Sequence, residues 1–377
     1  KIVNKIRKLL KDNERSKLPG HLLALRAVLT ELKPELLLFN SNNTELADET
    51  LEIATLALKC SLEEVTSENS SIIAKSSEMS LDKEQRNVVA AWLTTKESSN
   101  LLADVIVTFD RMERANDILG LLIETLLNSC HQGAVAKASE ALENVSVYLL
   151  KKKNQLPSKW LDRLFEYLYS KDTNPKLRRS AGFAAATKAL AKSSSKLSSQ
   201  CFERLIQTLL DSKKEIVRVH ALNLLNVLLR DARVFVSQEN LSTLFQISVI
   251  GFQNETWSLR NSSLLVYSAT MSKMFKDHTR SALPLSAFMS RFPDLLPFLQ
   301  EKMSLLLKTR RNRNYMCMMP MLLLMSRLVP NDDDDDDNHP YDEMLQMLQH
   351  LVISAPQSTR VVSARAVVTF LKGSDLI

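Results

Sequence analysis

Phe202-Glu203-Arg204-Leu205-Ile206-Gln207-Thr208-Leu209 places its apolar side chains at i, i+3, i+4 and i+7, the spacing that gathers them on one face of a helix. Forty residues earlier Leu161, Leu164, Phe165 and Leu168 repeat that spacing, and Ala138, Ala141, Leu142, Val145, Tyr148 and Leu149 carry it over three turns. No comparable period-2 stretch is found. The stripes are separated by short polar links such as Gln155-Leu156-Pro157-Ser158, Ser170 to Pro175 and Asp211 to Lys214, so the chain reads as consecutive amphipathic helices.

The stripes recur with a fixed step. One set starts near Leu161, Phe202 and Leu241 and a second near Leu177, Val217 and Trp257, each stepping by about 40 residues, within the HEAT/armadillo range. A two-helix unit of that size cannot bury its apolar face alone, so neighbours stack. The predicted fold class is all-α, a HEAT/armadillo-like α-α superhelix. Residues 1–150 are expected to hold N-terminal repeats and 151–280 the motif-bearing repeats. Residues 281–377 are expected to hold C-terminal repeats with an acidic loop at 331–338.

Composition supports the same class. At 377 residues the chain exceeds the size at which single cores stop growing, and 45% apolar with 24% charged residues excludes wholesale disorder. Six glycines in 377 leave few residues free to take φ > 0. That argues against a turn-rich β protein and against enzymes built on Gly-rich phosphate loops; neither GxGxxG nor GxxxxGK[ST] occurs. The six histidines lack HxxxH spacing and the four cysteines lack a CxxC pair, so no metal site is expected and the thiols read as core residues of a reducing compartment. No apolar run reaches membrane-spanning length, the best being Met316 to Met325, which holds Pro320. The start, Lys1-Ile2-Val3-Asn4-Lys5, has neither an initiator Met nor a signal sequence, so the chain reads as part of a longer cytoplasmic protein. No catalytic residue is expected.

Charge is uneven. Between Lys151 and Phe235 stand 18 Lys/Arg and 7 Asp/Glu, a net +11 against −5 for the remainder; such a zone attracts polyanions, or is simply a solvated helical surface. Within it, Asn174-Pro175-Lys176-Leu177-Arg178-Arg179-Ser180-Ala181-Gly182 suggests a capped helix start whose Arg178 and Arg179 oppose the helix dipole. They read as contacts to an anion or partner, or as intramolecular ion pairs. The small residues Ser180, Ala181 and Gly182 let a neighbouring helix or a ligand approach closely. At repeat spacing follow Val217-Arg218-Val219-His220-Ala221-Leu222-Asn223, then Leu229-Arg230-Asp231, then Trp257-Ser258-Leu259-Arg260-Asn261-Ser262-Ser263. Arg178, Arg179, Arg218 and Arg260 form either a shared groove or structural ladders between repeats; Trp257 and the leucine stripes are expected in the core. The six aspartates Asp332 to Asp337 read as a self-repelling solvated insertion, with polyanion mimicry or cation binding as the alternative.

Those blocks, in that order, resemble the family of the thyroid adenoma-associated protein and its fungal counterparts, with their DUF2428-type domain. Weaker echoes are Trp92 to Glu97 (WLTTKE), His131-Gln132-Gly133-Ala134 and Arg291-Phe292-Pro293. Family members follow the Arg-Arg-Ser-Ala-Gly block with an apolar residue and Pro; here Phe183 is followed by Ala184. The resemblance implies a non-catalytic scaffold that acts with an FtsJ-like tRNA 2'-O-methyltransferase on the ribose of nucleotide 32 in the tRNA anticodon loop. It binds tRNA and orients the partner, while S-adenosylmethionine belongs to the partner and no cofactor to this chain. Carried onto this sequence, the residues expected to meet tRNA or partner are Arg178, Arg179, Ser180, Gly182, Arg218, His220, Arg230, Arg260 and Asn261. The alternative is a protein-protein adaptor of the transport-receptor type, binding acidic peptides without an RNA role.

Overall fold

The computed structural model describes residues 1–12, 14–38, 43–65, 78–129, 131–169, 181–276, 283–308, 312–330 and 341–371. Arg178, Arg179 and Ser180, with the cap expected at Asn174 and Pro175 and the acidic run 331–338, lie outside the described residues. The chain is an all-α helical-repeat protein built of two compact units, Lys1–Cys201 and Phe202–Ile377.

The first unit contains α1 (Ile2–Lys11), α2 (Leu18–Leu38), α3 (Asn43–Val65), α4 (Glu78–Phe109), α5 (Ala115–Asn128), α6 (Gln132–Lys151), α7 (Leu156–Tyr169) and α8 (Ala181–Lys192); α9 (Ser195–Asp211) carries the boundary. Consecutive helices pair as hairpins, α1 with α2 through α7 with α8. The odd members α1, α3, α5 and α7 pack in one row, and α2, α4, α6 and α8 in another. Each hairpin thus closes its apolar stripe against the next, the two-layer solution expected of a repeat that cannot fold alone. Leu161, Leu164, Phe165 and Leu168 are buried as their spacing predicts, as are Ala138, Ala141, Leu142, Val145 and Leu149.

Polar contacts set the register of the rows. Lys192 at the end of α8 pairs with Glu143 of α6 at 2.6 Å, both side chains largely buried. Glu97 of α4, buried to 4% exposure, lies 3.1 Å from Lys96 and 3.7 Å from Arg26 of α2. Helix α4 stops at Asp110, which takes the left-handed conformation (φ 54°). The Tyr148 hydroxyl of α6 donates to its carboxylate at 2.5 Å and Lys152 at 2.9 Å. Those two bonds hold the Asp110 carboxyl below the usual carboxylate range. At the other end of α6, the His131 Nδ1 accepts from the Ala134 N–H at 3.4 Å, and its ring stacks on Trp92 of α4 with centroids 5.0 Å apart. The WLTTKE and His131-Gln132-Gly133-Ala134 echoes therefore meet in space.

The second unit contains α10 (Glu215–Arg230), α11 (Gln238–Gly251), α12 (Trp257–Met274), α13 (Leu285–Arg291), α14 (Leu295–Lys308), α15 (Asn312–Met325), α16 (Asp342–Ser354) and α17 (Gln357–Phe370). Helices α11, α14 and α16 pack in one row; in the other, α10 packs on α12 and α15 on α17. Phe202, Leu205, Ile206 and Leu209 are buried, as the opening stripe requires. The repeat is interrupted after α12 by two-residue strands, β1 (Leu283–Pro284) and β2 (Leu328–Val329), paired in parallel. Phe288 of α13 stacks on Phe275 at 5.5 Å and meets Phe292 tilted at 5.0 Å between centroids, which anchors the interruption to the core. Helix α15 runs through Pro320, and the buried Tyr267 hydroxyl of α12 donates to the Pro320 carbonyl at 2.9 Å.

Candidate nucleic-acid interface

Helices α10 and α12 lie side by side, and their sequences decide what they show to solvent. On α10, Val217, Ala221, Leu222, Leu224, Leu225, Leu228 and Leu229 are buried. This leaves Ile216, Asn223 and Arg230, seven residues apart, as an exposed row with His220 and Asn226 half-buried between them. On α12 the buried set is Leu259, Ser262, Ser263, Val266, Tyr267, Ala269, Thr270, Met271 and Met274, and Trp257, Leu264, Ser268 and Ser272 stay exposed. The two rows are joined by a hydrogen bond from the Ser258 hydroxyl to Glu215 and by Ser262 Oγ donating to Asn223 Oδ1 at 3.3 Å. Small Ser and Ala residues at the buried positions of α12 let the two helices approach closely.

At the C-terminal end of this face is a cleft of about 370 Å³. Arg230, Lys273 and Lys276 line it with Ser268 and Ser272, over Leu229, Ala232 and Ala269; among the described residues that line it none is a carboxylate. Arg230 sits in the last turn of α10, where a cation complements the helix dipole, and its Nε donates to Asn226 Oδ1 at 2.9 Å. Lys273 Nζ donates to the Asp231 and Val234 carbonyls at 2.8 and 3.1 Å, tying down the loop after α10. Burial first, and Lys276 beside it second, push the Lys273 ammonium below the usual lysine range, with Asp231 acting against them. An ammonium has three donors, so one remains beyond those two carbonyl bonds. Three cations gathered at one cleft, with Asp231 the carboxylate that acts on Lys273, make a site suited to an anion.

The other expected residues fall in different places. Arg218, in the first turn of α10, is half-buried, and its Nε is buried with no hydrogen-bond partner among the described residues. His220 and Asn261 are half-buried. Arg260 Nη1 donates to the carbonyls of Asn254 and Glu255 at 2.9 and 2.7 Å, which staples the turn between α11 and α12. Gly182 is buried in the first unit, and a Cβ there would lie 1.6 Å from the Leu126 carbonyl oxygen of α5. Its lack of a side chain thus serves the close approach of a neighbouring helix. Of the expected set, Arg218, His220 and Arg230 stand on α10 and Arg260 and Asn261 on the adjacent α12, with Arg230 at the opposite end of α10 from Arg218.

Trp257 corrects the sequence reading. It was expected in the core and is 71% exposed. The buried residues of α12 start at Leu259 and recur at Ser262, Ser263, Val266 and Thr270; Trp257, two residues out of step, is turned by about 200° from Leu259. The sequence reading also missed Lys273, Lys276, Ser268 and Ser272. A signal existed, since Ser268, Ser272 and Lys276 stand four residues apart, the spacing of one helical face.

Among the described residues no group of three or more His, Cys, Asp or Glu side chains is placed to hold a metal ion, and no helix is long and apolar enough to cross a membrane.

Comparison with known proteins bears on the same helices. Mouse tRNA (32-2'-O)-methyltransferase regulator THADA is 32% identical over 242 residues, covering 56% of this chain and 12% of its own length. The human protein of that name is 27% identical over 266 residues, covering 60% and 13%. The fission yeast regulator trm732 (Schizosaccharomyces pombe) is 24% identical over 242 residues, covering 55% and 16%. The matches thus span about an eighth to a sixth of those relatives. Among solved structures, an engineered protein aligns over 98% of this chain and 99% of its own at 13% identity, but its TM-score of 0.25 bears no weight. The family model described as Trm732, C-terminal TPR repeats matches residues 260–377. The model described as THADA/TRM732, DUF2428 matches residues 22–258, well over half of the sequence and inclusive of α10 and the Trp257 that opens α12, and the chain therefore belongs to the THADA/TRM732 family.

Proposed function

We propose that this chain is the motif-bearing part of a non-catalytic regulatory subunit that works with an FtsJ-like, S-adenosylmethionine-dependent methyltransferase. Their joint product is the 2'-O-methylated ribose of nucleotide 32 in the tRNA anticodon loop. The chain contributes no reacting group. It holds the tRNA and presents it to the partner, so its effect on rate is one of positioning, which alone lowers barriers by several kcal/mol, up to about 7 to 11 in well-oriented cases. Arg178, Arg179 and Ser180 are assigned to the same task from their sequence block. Gly182 is assigned to packing, and Arg260 to holding the turn that begins α12.

The observation that carries the reading is the cleft of Arg230, Lys273 and Lys276, cationic and with no carboxylate among its described lining residues, on two helices that carry the family's sequence blocks. Phosphate contacts fix an RNA's register without reading its sequence, which suits a subunit that orients a substrate for another's chemistry. The regulator names carried by the matched relatives agree with this division of labour.

The test is reconstitution of the full chain with the methyltransferase and a tRNA substrate, comparing wild type with the double variant Arg230→Ala/Lys276→Ala. These two exposed cations are chosen because Lys273 also holds the loop. Each lost phosphate contact is expected to lower the slope of log K against log salt by about one. Ribose methylation at sub-saturating tRNA is expected to fall in parallel. An unchanged slope and rate would remove the cleft from the function, and salt-insensitive binding by the wild type would favour the protein-only adaptor.

A further inference from the structure

We infer that Trp257 is a stacking platform for an unpaired nucleobase of the bound RNA, an inference that rests on the RNA reading above. At 71% exposure it is the most exposed aromatic residue among the exposed large hydrophobic side chains, and among the described residues its indole stacks on no other ring. It is the first residue of α12, on the side of that helix turned away from the core. An indole left in water at a helix start contributes nothing to the packing of α12, so helix stability does not explain it.

Its surroundings favour a base over a protein side chain. Protein interfaces place their aromatic anchors in a core depleted of charge. Trp257 instead lies between Glu255 and Arg260 in sequence, and its neighbour Ser258 donates to Glu215, whose carboxylate is thereby engaged. Leu264 and Ser268 follow on the exposed side of α12, and Ser268 already lines the cleft, whose Lys273 stands about 24 Å along the helix from Trp257 at 1.5 Å per residue. An exposed aromatic face on the helix that also lines a cationic cleft is the combination by which proteins hold unpaired nucleic acid, the base stacking and the cations tracking the backbone. A base-paired stem offers no free π-face to the indole, so Trp257 discriminates a loop from a stem while the cleft does not.

The experiment measures binding of two labelled RNAs by the full chain, a hairpin with a single-stranded loop and a fully paired duplex of the same stem. Wild type is compared with Trp257→Ala, Trp257→Leu and Trp257→Phe. Stacking requires that Ala and Leu each weaken hairpin binding by roughly 5- to 100-fold, that Phe restore most of it, and that duplex binding stay the same in all four. Hairpin binding by Trp257→Ala equal to wild type overturns the inference and leaves the RNA reading standing. Rescue by Leu as good as by Phe overturns it in favour of an apolar protein contact, and an equal loss on duplex overturns it in favour of a disturbed phosphate surface. A wild type that binds neither RNA overturns both the inference and the reading beneath it.

Discussion

At Gly182 the space for a single methyl group is already filled by the Leu126 carbonyl oxygen, 1.6 Å from where a Cβ would stand. Backbone cannot swing aside as a flexible side chain does, so Gly182→Ala forces α8 away from α5. The expected cost is about 2 to 3 kcal/mol, the upper part of the range for overpacking, read from the urea midpoint. RNA affinity at equal folded fraction is expected not to change, because the residue's work is packing. Arg260 and Arg218 show how residue type alone misleads. They occupy equivalent first-turn positions in successive repeats, but Arg260 has two carbonyl partners, whereas the buried Arg218 Nε has none among the described residues. Nothing in the two sequence blocks separates them, since the difference lies in the turn that precedes each helix.

At the scale of elements, α12 and α15 are joined by a buried hydroxyl. The Tyr267 O–H reaches the Pro320 carbonyl from across the core. Burial pushes the Tyr267 phenol well above its ordinary value, so it remains a donor throughout the neutral range. Tyr267→Phe is expected to destabilise the second unit by about 1 to 2 kcal/mol, measurable by thermal denaturation. The Asp110 junction works on the surface of the first unit, where a left-handed residue is held by Tyr148 and Lys152. Its carboxyl titrates below the usual range, so the contribution is present above the unfolded-state value and fades as pH falls through the folded one. Helix existence at α7, α9 and α10 was legible from apolar spacing. The phase of α12 was not, because four of its nine buried positions hold Ser, Thr or Ala and Trp257, at the head of its first turn, faces out.

For the molecule as a whole, stability in stacked repeats is a sum of local terms passed between neighbours. Leu142→Ala removes a fully buried side chain of α6 at an expected cost of about 2 to 5 kcal/mol. Amide hydrogen exchange is expected to quicken in α4 and α6 far more than in α16 and α17; uniform acceleration would mean that the chain unfolds as one body. The sequence by itself determined the class of fold, the 40-residue step, the want of a nucleotide-binding loop and the family, because periodicity and motif order are properties of the chain read in one dimension. Only the tertiary structure decided which cations converge. Arg230 meets Lys273 and Lys276 across some forty residues of intervening chain through the packing of α10 on α12, and Trp257 is left in water by the rotation of a helix whose neighbours, not whose composition, fix its buried side.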